Sequence, residues 1–203
     1  MAFESINFND IRIIICAQGY KLDYQFILRE IGYCSKHTSV VIPFNCKISL
    51  KDLDVSSQRT IFALEEEVHG IRLKRNVQFG MTQSDYKAVL KTLYHLSADD
   101  SNAKFIGIIR DANIFGLLHR AGLGHFVVDL DQLEIFRHNN LSCPSNVDLR
   151  NAMKNNSNKY KVCDIHEHLR NNEFPICAKV KSQFVFDTCK LLSDNLVNQQ
   201  QNN

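Results

Sequence analysis

The hydrophobic pattern of the first half of the chain predicts three strands followed by two helices. Residues 11–20, IRIIICAQGY, form a continuous apolar run, which is typical of a strand covered on both faces. Residues 24–35 alternate between apolar and polar positions, and residues 38–44 form a third short strand. Residues 56–70 and 82–96 carry apolar positions at helical spacing, so we predict an amphipathic helix over each range.

The second half predicts a strand, a helix and another strand, and then a closing helix. Residues 104–109 and 125–130 are short apolar runs, and residues 111–122 between them have a helical pattern that stops at a glycine. Such a unit is expected to have parallel strands and a right-handed crossover. Residues 138–162 are polar and predict a loop with at most one short helix, and residues 174–196 predict a long amphipathic helix.

Length and composition indicate one globular domain. The chain has 203 residues, 44% of them hydrophobic and 23% charged, and we predict a single domain over residues 1–196 with a disordered tail at 197–203. No apolar run approaches the roughly 20 residues that a membrane helix needs, so we expect no membrane association. Seven cysteines without a secretion signal indicate an intracellular location, cytoplasmic or nuclear. The net charge of +2 gives no general attraction to nucleic acid.

One short stretch, CDIHEHLRNNEFPIC at 163–177, is rich in metal-ligand residue types. Cys163 and His166 form a Cys-x-x-His pair, and Cys177 follows eleven residues after the histidine. Thiolates and imidazoles are the usual ligands of zinc in proteins, but a structural zinc needs four of them. The stretch therefore predicts three zinc ligands and requires a fourth from elsewhere.

Glu30 is the candidate for the fourth ligand because a carboxylate is awkward at its position. It lies in the middle of an apolar strand, and simple alternation places it on the same face as Phe26 and Leu28. A buried carboxylate costs several kcal/mol unless a cation or hydrogen bonds meet it. With Cys163, His166 and Cys177 it would complete a tetrahedral zinc site. Four protein ligands leave no position for a water molecule, so the zinc is expected to be structural.

Two other interpretations of this stretch are open. His168 could take the place of His166 as the imidazole ligand. Alternatively, Cys163 and Cys177 could be ordinary buried thiols, with both histidines on the surface.

The order of predicted elements resembles the ribonuclease H-like fold of DnaQ-type 3′–5′ exonucleases. That resemblance implies an α/β fold whose mixed sheet has three antiparallel and two parallel strands, with helices on both faces. Active members carry Asp-x-Glu on the first strand, where this chain has Cys16 and Gln18. A thiol and an amide do not hold Mg²⁺ well, so we predict that the usual two-metal site is absent. Weak cleavage of single-stranded RNA stays open. Asp111, Asp129 and Asp187 could be remnants of the other carboxylates, although Asp111 fits equally well as a helix N-cap.

The segments around the predicted ligands resemble the Maelstrom domain, a ribonuclease H-like domain of the piRNA pathway. REIGYC around Glu30 and CDIHEHLRNNEFPICA at 163–178 are similar to its Glu-Cys-His-Cys signature, with a somewhat longer spacing between His166 and Cys177. The middle of the chain, FIGIIRDANIFGLLHRAGLGHFVVDLDQLE, is similar to transposon- or virus-associated insect proteins. The resemblance covers about residues 11–193 and implies a structural zinc and a role in small-RNA or transposon silencing. These 203 residues contain no segment like the HMG box of full-length Maelstrom, so we expect the resemblance to be to the domain alone.

Two classes of function follow from these observations. A degenerate nuclease fold could bind single-stranded RNA, and the basic run RLKRN together with the end of the fourth strand predicts a phosphate-binding patch of Arg72, Lys74, Arg75 and Arg110. Alternatively, the fold could serve as a protein-interaction or host-antagonist module. The near-neutral charge and the lack of interleaved aromatic and basic residues favour this second class.

Overall fold

The computed structural model describes residues 6–22, 25–73, 80–98, 102–137, 140–171 and 173–201. These residues form a five-stranded sheet in the order β3-β2-β1-β4-β5. The strands are β1 (Ile11–Leu22), β2 (Gln25–Ser35), β3 (Ser39–Pro43), β4 (Phe105–Ile108) and β5 (Val127–Asp129). Strand β2 is antiparallel to both β1 and β3, whereas β4 is parallel to both β1 and β5. The predicted mixed sheet of three antiparallel and two parallel strands is confirmed.

The helices cover both faces of this sheet. They are α1 (Val55–Ala63), α2 (Tyr86–Leu96), α3 (Ala112–Arg120), α4 (Glu134–Arg137), α5 (Asn146–Asn155) and α6 (Ala178–Gln201). Helices α2 and α3 pack with Ile13 and Ile15 of β1 in one core, and α6 packs with Ile14 and Cys16 in a second core on the opposite face. Within the described ranges, no helix is long and apolar enough to cross a membrane.

Helix ends differ from the sequence pattern where local hydrogen bonding decides them. Helix α1 begins after its N-cap Asp54, whose carboxylate accepts the backbone N–H of Ser57 at 2.9 Å. The helix then widens into a π-helical turn over Leu64–Val68. Helix α6 begins only at Ala178, because Pro175 disfavours helical backbone at residue 174 and Ile176 donates its N–H to the carbonyl of Val68 instead. It continues to Gln201 and includes residues 197–201, for which the sequence predicted a disordered tail.

A β-bulge at Arg29 changes the face on which Glu30 lies. Gln18 of β1 pairs with Glu30, but the residue after Gln18 pairs with Leu28, which leaves Arg29 without a partner across the ladder. Leu28 and Phe26 therefore pack against the α2 and α3 face, while Glu30 bonds to the start of α6 on the other face. The prediction that Glu30 shares a face with Phe26 and Leu28 was wrong, because a bulge reverses simple alternation.

The start of α6 lies directly on β2 at Gly32. A Cβ atom on Gly32 would lie 2.0 Å from the backbone carbon of Ala178 and 2.2 Å from the backbone nitrogen of Lys179. Since no side chain fits between them, only glycine permits this approach. The close contact brings the residues just before α6 next to Glu30.

Candidate metal site

Four side chains from three parts of the chain converge between β2 and the start of α6. Glu30 comes from β2, Cys177 immediately precedes α6, and Cys163 and His166 come from the loop between α5 and α6. One ligand atom of each lies within 4.8 Å of the others. The two Sγ atoms are 3.5 Å apart, and Nε2 of His166 is 3.1 Å from Oε2 of Glu30. The structure thus brings together all four residues that the sequence proposed as zinc ligands.

The loop that carries Cys163 and His166 is held by backbone hydrogen bonds to the segment after α1. Glu167 donates its N–H to the carbonyl of Gly70 at 2.9 Å, and Ile176 donates to the carbonyl of Val68 at 2.8 Å. Gly70 has a φ of +65°, a left-handed conformation that glycine adopts without strain. These hydrogen bonds hold the loop against the π-helical turn and so position Cys163 and His166 relative to Glu30.

The distances and donor types suit a tetrahedral zinc ion. Zinc–sulfur bonds of about 2.3 Å place two thiolates of one tetrahedron about 3.8 Å apart. The observed Sγ–Sγ distance of 3.5 Å is close to this value and is far longer than a disulfide bond of about 2.05 Å. Zinc accepts two thiolates, an imidazole and a carboxylate together, whereas Mg²⁺ and Ca²⁺ prefer oxygen ligands and bind thiolates poorly. Because Glu30 and Cys177 are both 0% exposed, the arrangement is closed to solvent on their side.

The ionisation of the four groups is strongly coupled. Burial raises the pKa of Glu30, and the neighbouring His166 opposes this shift. Burial also lowers the pKa of His166, but Glu30 and Cys177 outweigh it and raise that pKa to about 11. The hydrogen bond from Cys163 lowers the pKa of Cys177 to about 4, and the same bond raises the pKa of Cys163. Without a cation, therefore, only one of the two thiols is ionised, because two adjacent buried anions repel each other. A divalent cation removes that restriction.

Two further contacts orient the ligands. The backbone N–H of Ala178 donates to Oε1 of Glu30 at 2.6 Å, which leaves Oε2 directed at His166. Nδ1 of His166 is hydrogen-bonded to the backbone carbonyl of His69, so Nδ1 carries the ring proton and Nε2 is left as the donor atom for a metal. The sequence predicted no part for His69 here. No side-chain pattern could have identified it, since it acts through its backbone.

The structure also decides between the interpretations that the sequence left open. His168 is exposed and is not part of the cluster within the described residues. The side chain of His166 is 0% exposed, so it is not a surface histidine beside two ordinary thiols. The set with His166 is the one that the fold assembles.

Arg72, predicted to contact phosphate, forms ion pairs beside the metal loop. Its Nε donates to Oε2 of Glu167 at 3.0 Å, and its terminal nitrogen pairs with Glu66. These two hydrogen bonds raise the pKa of Arg72 further above its usual range. Arg72 therefore ties the π-helical turn after α1 to the loop that carries Cys163 and His166.

Arg110, the other described residue of the predicted phosphate patch, also lies beside carboxylates. Nε of Arg110 lies 2.9 Å from Oδ2 of Asp131 and 3.8 Å from Oδ2 of Asp129. Its side chain is nevertheless 74% exposed. Lys74 and Arg75 lie outside the described residues. At the end of β4, Arg110 is therefore paired with Asp131 and lies near Asp129.

The three predicted carboxylate remnants have other partners. Asp111 caps α3 by accepting the N–H of Asn113 at 2.9 Å, as the N-cap interpretation expected. Asp129 accepts the N–H of Asp131 at 3.1 Å, and Asp187 pairs with Nζ of Lys159 at 2.8 Å.

Cys16, where the resemblance to exonucleases predicts a metal-binding carboxylate, is an uncharged thiol. Cys16 is buried, and its burial raises the pKa of its thiol to about 11, so it stays protonated at neutral pH. Within the described ranges, the Glu30 cluster is the only group of three or more such side chains able to hold a metal ion.

Comparison with solved structures supports a nuclease fold. The chain is similar to the exonuclease domain of Mopeia virus, in a form fully depleted of manganese, with a TM-score of 0.56 and 15% sequence identity. The match covers 90% of this chain and 77% of the viral chain. At this identity the likeness concerns the fold, which is of the ribonuclease H-like type. No protein-family model matches the chain, and no curated protein matches it. The resemblance to the Maelstrom domain stays a prediction.

Proposed function

We propose that this chain is a zinc-stabilised protein of nuclease fold that binds single-stranded RNA and lacks two-metal exonuclease chemistry. The observation that carries this proposal is the buried group of Glu30, Cys163, His166 and Cys177, combined with Cys16 and Gln18 on the strand that bears the catalytic carboxylates in active nucleases. A bound zinc would cross-link β2 to the start of α6. It would take no part in catalysis, because its four protein ligands leave no position for water or substrate. Membership of the Maelstrom type, and a role in small-RNA or transposon silencing, rest on the sequence resemblance alone.

The first consequence concerns catalysis. We expect purified protein with Mg²⁺ or Mn²⁺ to leave a labelled single-stranded RNA without a ladder of shortened products. The reason is that a protonated thiol at Cys16 and an amide at Gln18 do not hold two hard cations across a phosphodiester. Denaturing gel electrophoresis over a time course measures this, with an active 3′–5′ exonuclease as the positive control. A metal-dependent ladder that Asp111→Asn abolishes contradicts the proposal.

The second consequence concerns binding. Binding to single-stranded RNA is expected to weaken with salt, with a log–log slope of about −0.7 for each phosphate contact. Arg72 is unsuitable for testing the predicted patch, because its ion pairs with Glu66 and Glu167 hold the metal loop. We therefore choose Lys74→Glu with Arg75→Glu, which should weaken binding and reduce the slope by about 1.4.

A matched control is available on α2. Lys87 and Lys91 are both exposed on α2, and replacing both by glutamate makes the same change in net charge. We expect this control to keep the parent slope in a fluorescence-anisotropy salt series. Equal weakening by the two double variants would mean that overall charge, not a patch at 74–75, governs binding.

A second candidate function is a protein-interaction module. It is favoured by the ion pairs of Arg72 with Glu167 and of Arg110 with Asp131. Two of the four side chains predicted to bind phosphate are therefore already paired with carboxylates. The net charge of +2 also gives little general attraction to a polyanion. A parent protein that binds no single-stranded RNA at low salt, while remaining folded and zinc-loaded, would select this function.

A further inference from the structure

Two buried side chains beside the metal site have hydrogen-bond donors with no acceptor. Among the described residues, five buried side-chain nitrogen or oxygen atoms lack a partner, and four of them belong to Arg29 and His69. They are all three guanidinium nitrogens of Arg29 and Nε2 of His69. Arg29 is 1% exposed and His69 is 0% exposed. Since buried polar groups are nearly always paired, four unpaired atoms in two residues point to a missing partner.

Arg29 and His69 pack against the same aromatic ring. The guanidinium carbon of Arg29 lies 5.7 Å from the centre of the Tyr20 ring, and the imidazole of His69 meets that ring edge-on at 5.4 Å. Arg29 is the residue that the β-bulge leaves without a partner in β1. The unpaired donors therefore belong to one buried region between β1, β2 and the end of the π-helical turn.

The unpaired atoms of both residues are hydrogen-bond donors. Nδ1 of His69 accepts the backbone N–H of Ile71 at 3.0 Å, so the ring is neutral and carries its proton on Nε2. A guanidinium group has five N–H donors and no acceptor. Arg29 and His69 together offer six N–H bonds and a single positive charge. What they lack is an acceptor, and in particular a negative one.

The neighbouring carboxylates already form hydrogen bonds with other groups. Oε1 of Glu65 accepts from the Tyr20 hydroxyl at 3.1 Å and from the N–H of Leu73 at 2.5 Å. Oε2 of Glu30 faces His166 in the metal cluster. Neither carboxylate forms a hydrogen bond with Arg29. Neither of them therefore supplies an acceptor for the guanidinium group of Arg29.

We propose that Arg29 and His69 bind one small monovalent inorganic anion, of the size and charge of chloride. One negative charge balances the single positive charge of the pair, whereas a divalent oxyanion would leave the buried region with a net charge. Because both side chains are buried, a phosphate group of an RNA strand does not reach them.

The test varies chloride at constant ionic strength, with bulky gluconate as the replacement anion. Zinc-loaded parent protein should show a midpoint of thermal unfolding that rises saturably with chloride. At ten times the dissociation constant, the rise should be about 3 to 6 °C. Arg29→Met should remove the chloride response. Arg59→Met, at an exposed position of α1, removes the same charge and should keep it.

A second measurement covers the case in which Arg29→Met does not fold. Crystals of the parent protein grown in bromide should have an anomalous peak within hydrogen-bonding distance of Arg29 and His69. Absence of that peak overturns the proposal, as does a chloride response of the same size in folded Arg29→Met. A midpoint in the parent that does not change with chloride overturns it as well.

Discussion

Replacing Cys177 with serine is expected to remove the bound zinc and unfold the protein. Cys177 is fully buried, 3.5 Å from Cys163, and its ionised sulfur is the ligand nearest to α6. Structural zinc in small peptides is worth about 10–16 kcal/mol, whereas a whole domain is stable by only about 5–15 kcal/mol. Even half of that contribution would lower the midpoint of thermal unfolding by more than about 10 °C.

Metal analysis and circular dichroism measure this result together. The parent should carry about one zinc per chain, and Cys177→Ser should carry none. Cys46→Ser is the matched control, because Cys46 is equally buried, at 1% exposure, but lies in a separate cluster with Tyr20 and Ile61. The Cys46→Ser protein should keep its zinc. Its free energy of unfolding should fall by only about 1–3 kcal/mol, because the substitution buries a hydroxyl group. Folded parent protein that contains no zinc contradicts the proposed site.

Gly32→Ala is expected to have the second-largest effect. The new methyl carbon would lie 2.0 Å from a backbone carbon of Ala178, and backbone cannot turn aside as a flexible side chain can. Helix α6 would have to move away from β2, which would lengthen the hydrogen bond from Ala178 to Glu30. We expect a loss of more than about 3 kcal/mol of stability, with weaker zinc binding.

Gly116→Ala serves as the control for this substitution. Gly116 lies inside α3, and its added methyl would meet only the flexible end of the Arg120 side chain, at 3.2 Å. Since glycine is a poor helix former, this change should be neutral or stabilise the protein by up to about 1 kcal/mol. Chelator titration with a chromogenic zinc indicator follows metal affinity in both variants. If Gly32→Ala matches the parent in both stability and zinc affinity, α6 does not depend on this close approach.

The sequence predicted the metal-binding residues because each is of an unusual residue type for its position. A carboxylate at Glu30 inside an apolar strand, and a Cys-x-x-His pair followed by Cys177, are visible without coordinates. The face of Glu30 was not visible, because the bulge at Arg29 exists only in the pairing of two strands. Arg29 itself was overlooked for the same reason, since a polar residue at that place in an alternating strand is expected to face solvent.

The partners of the basic residues were also beyond the reach of the sequence. Arg72 meets Glu167, which is 95 residues away along the chain, so no local pattern joins them. By contrast, the N-cap at Asp111 and the parallel β4 and β5 strands depend on short-range signals and were predicted. Features that depend on neighbouring residues could therefore be predicted from the sequence, whereas ion pairs between distant residues could not.

The long separation between the ligands has a consequence for the order in which a new chain folds. Glu30 and Ala178 are hydrogen-bonded across 148 residues. At a synthesis rate of about 5–20 residues per second, Glu30 leaves the ribosome roughly 7 to 30 s before the start of α6 does. During that interval the strands β1 to β3 can pair, but the carboxylate between them has neither its cation nor its amide partner. We therefore expect Glu30 to stay hydrated during that interval, and to lose its water only when the C-terminal helix arrives and covers it.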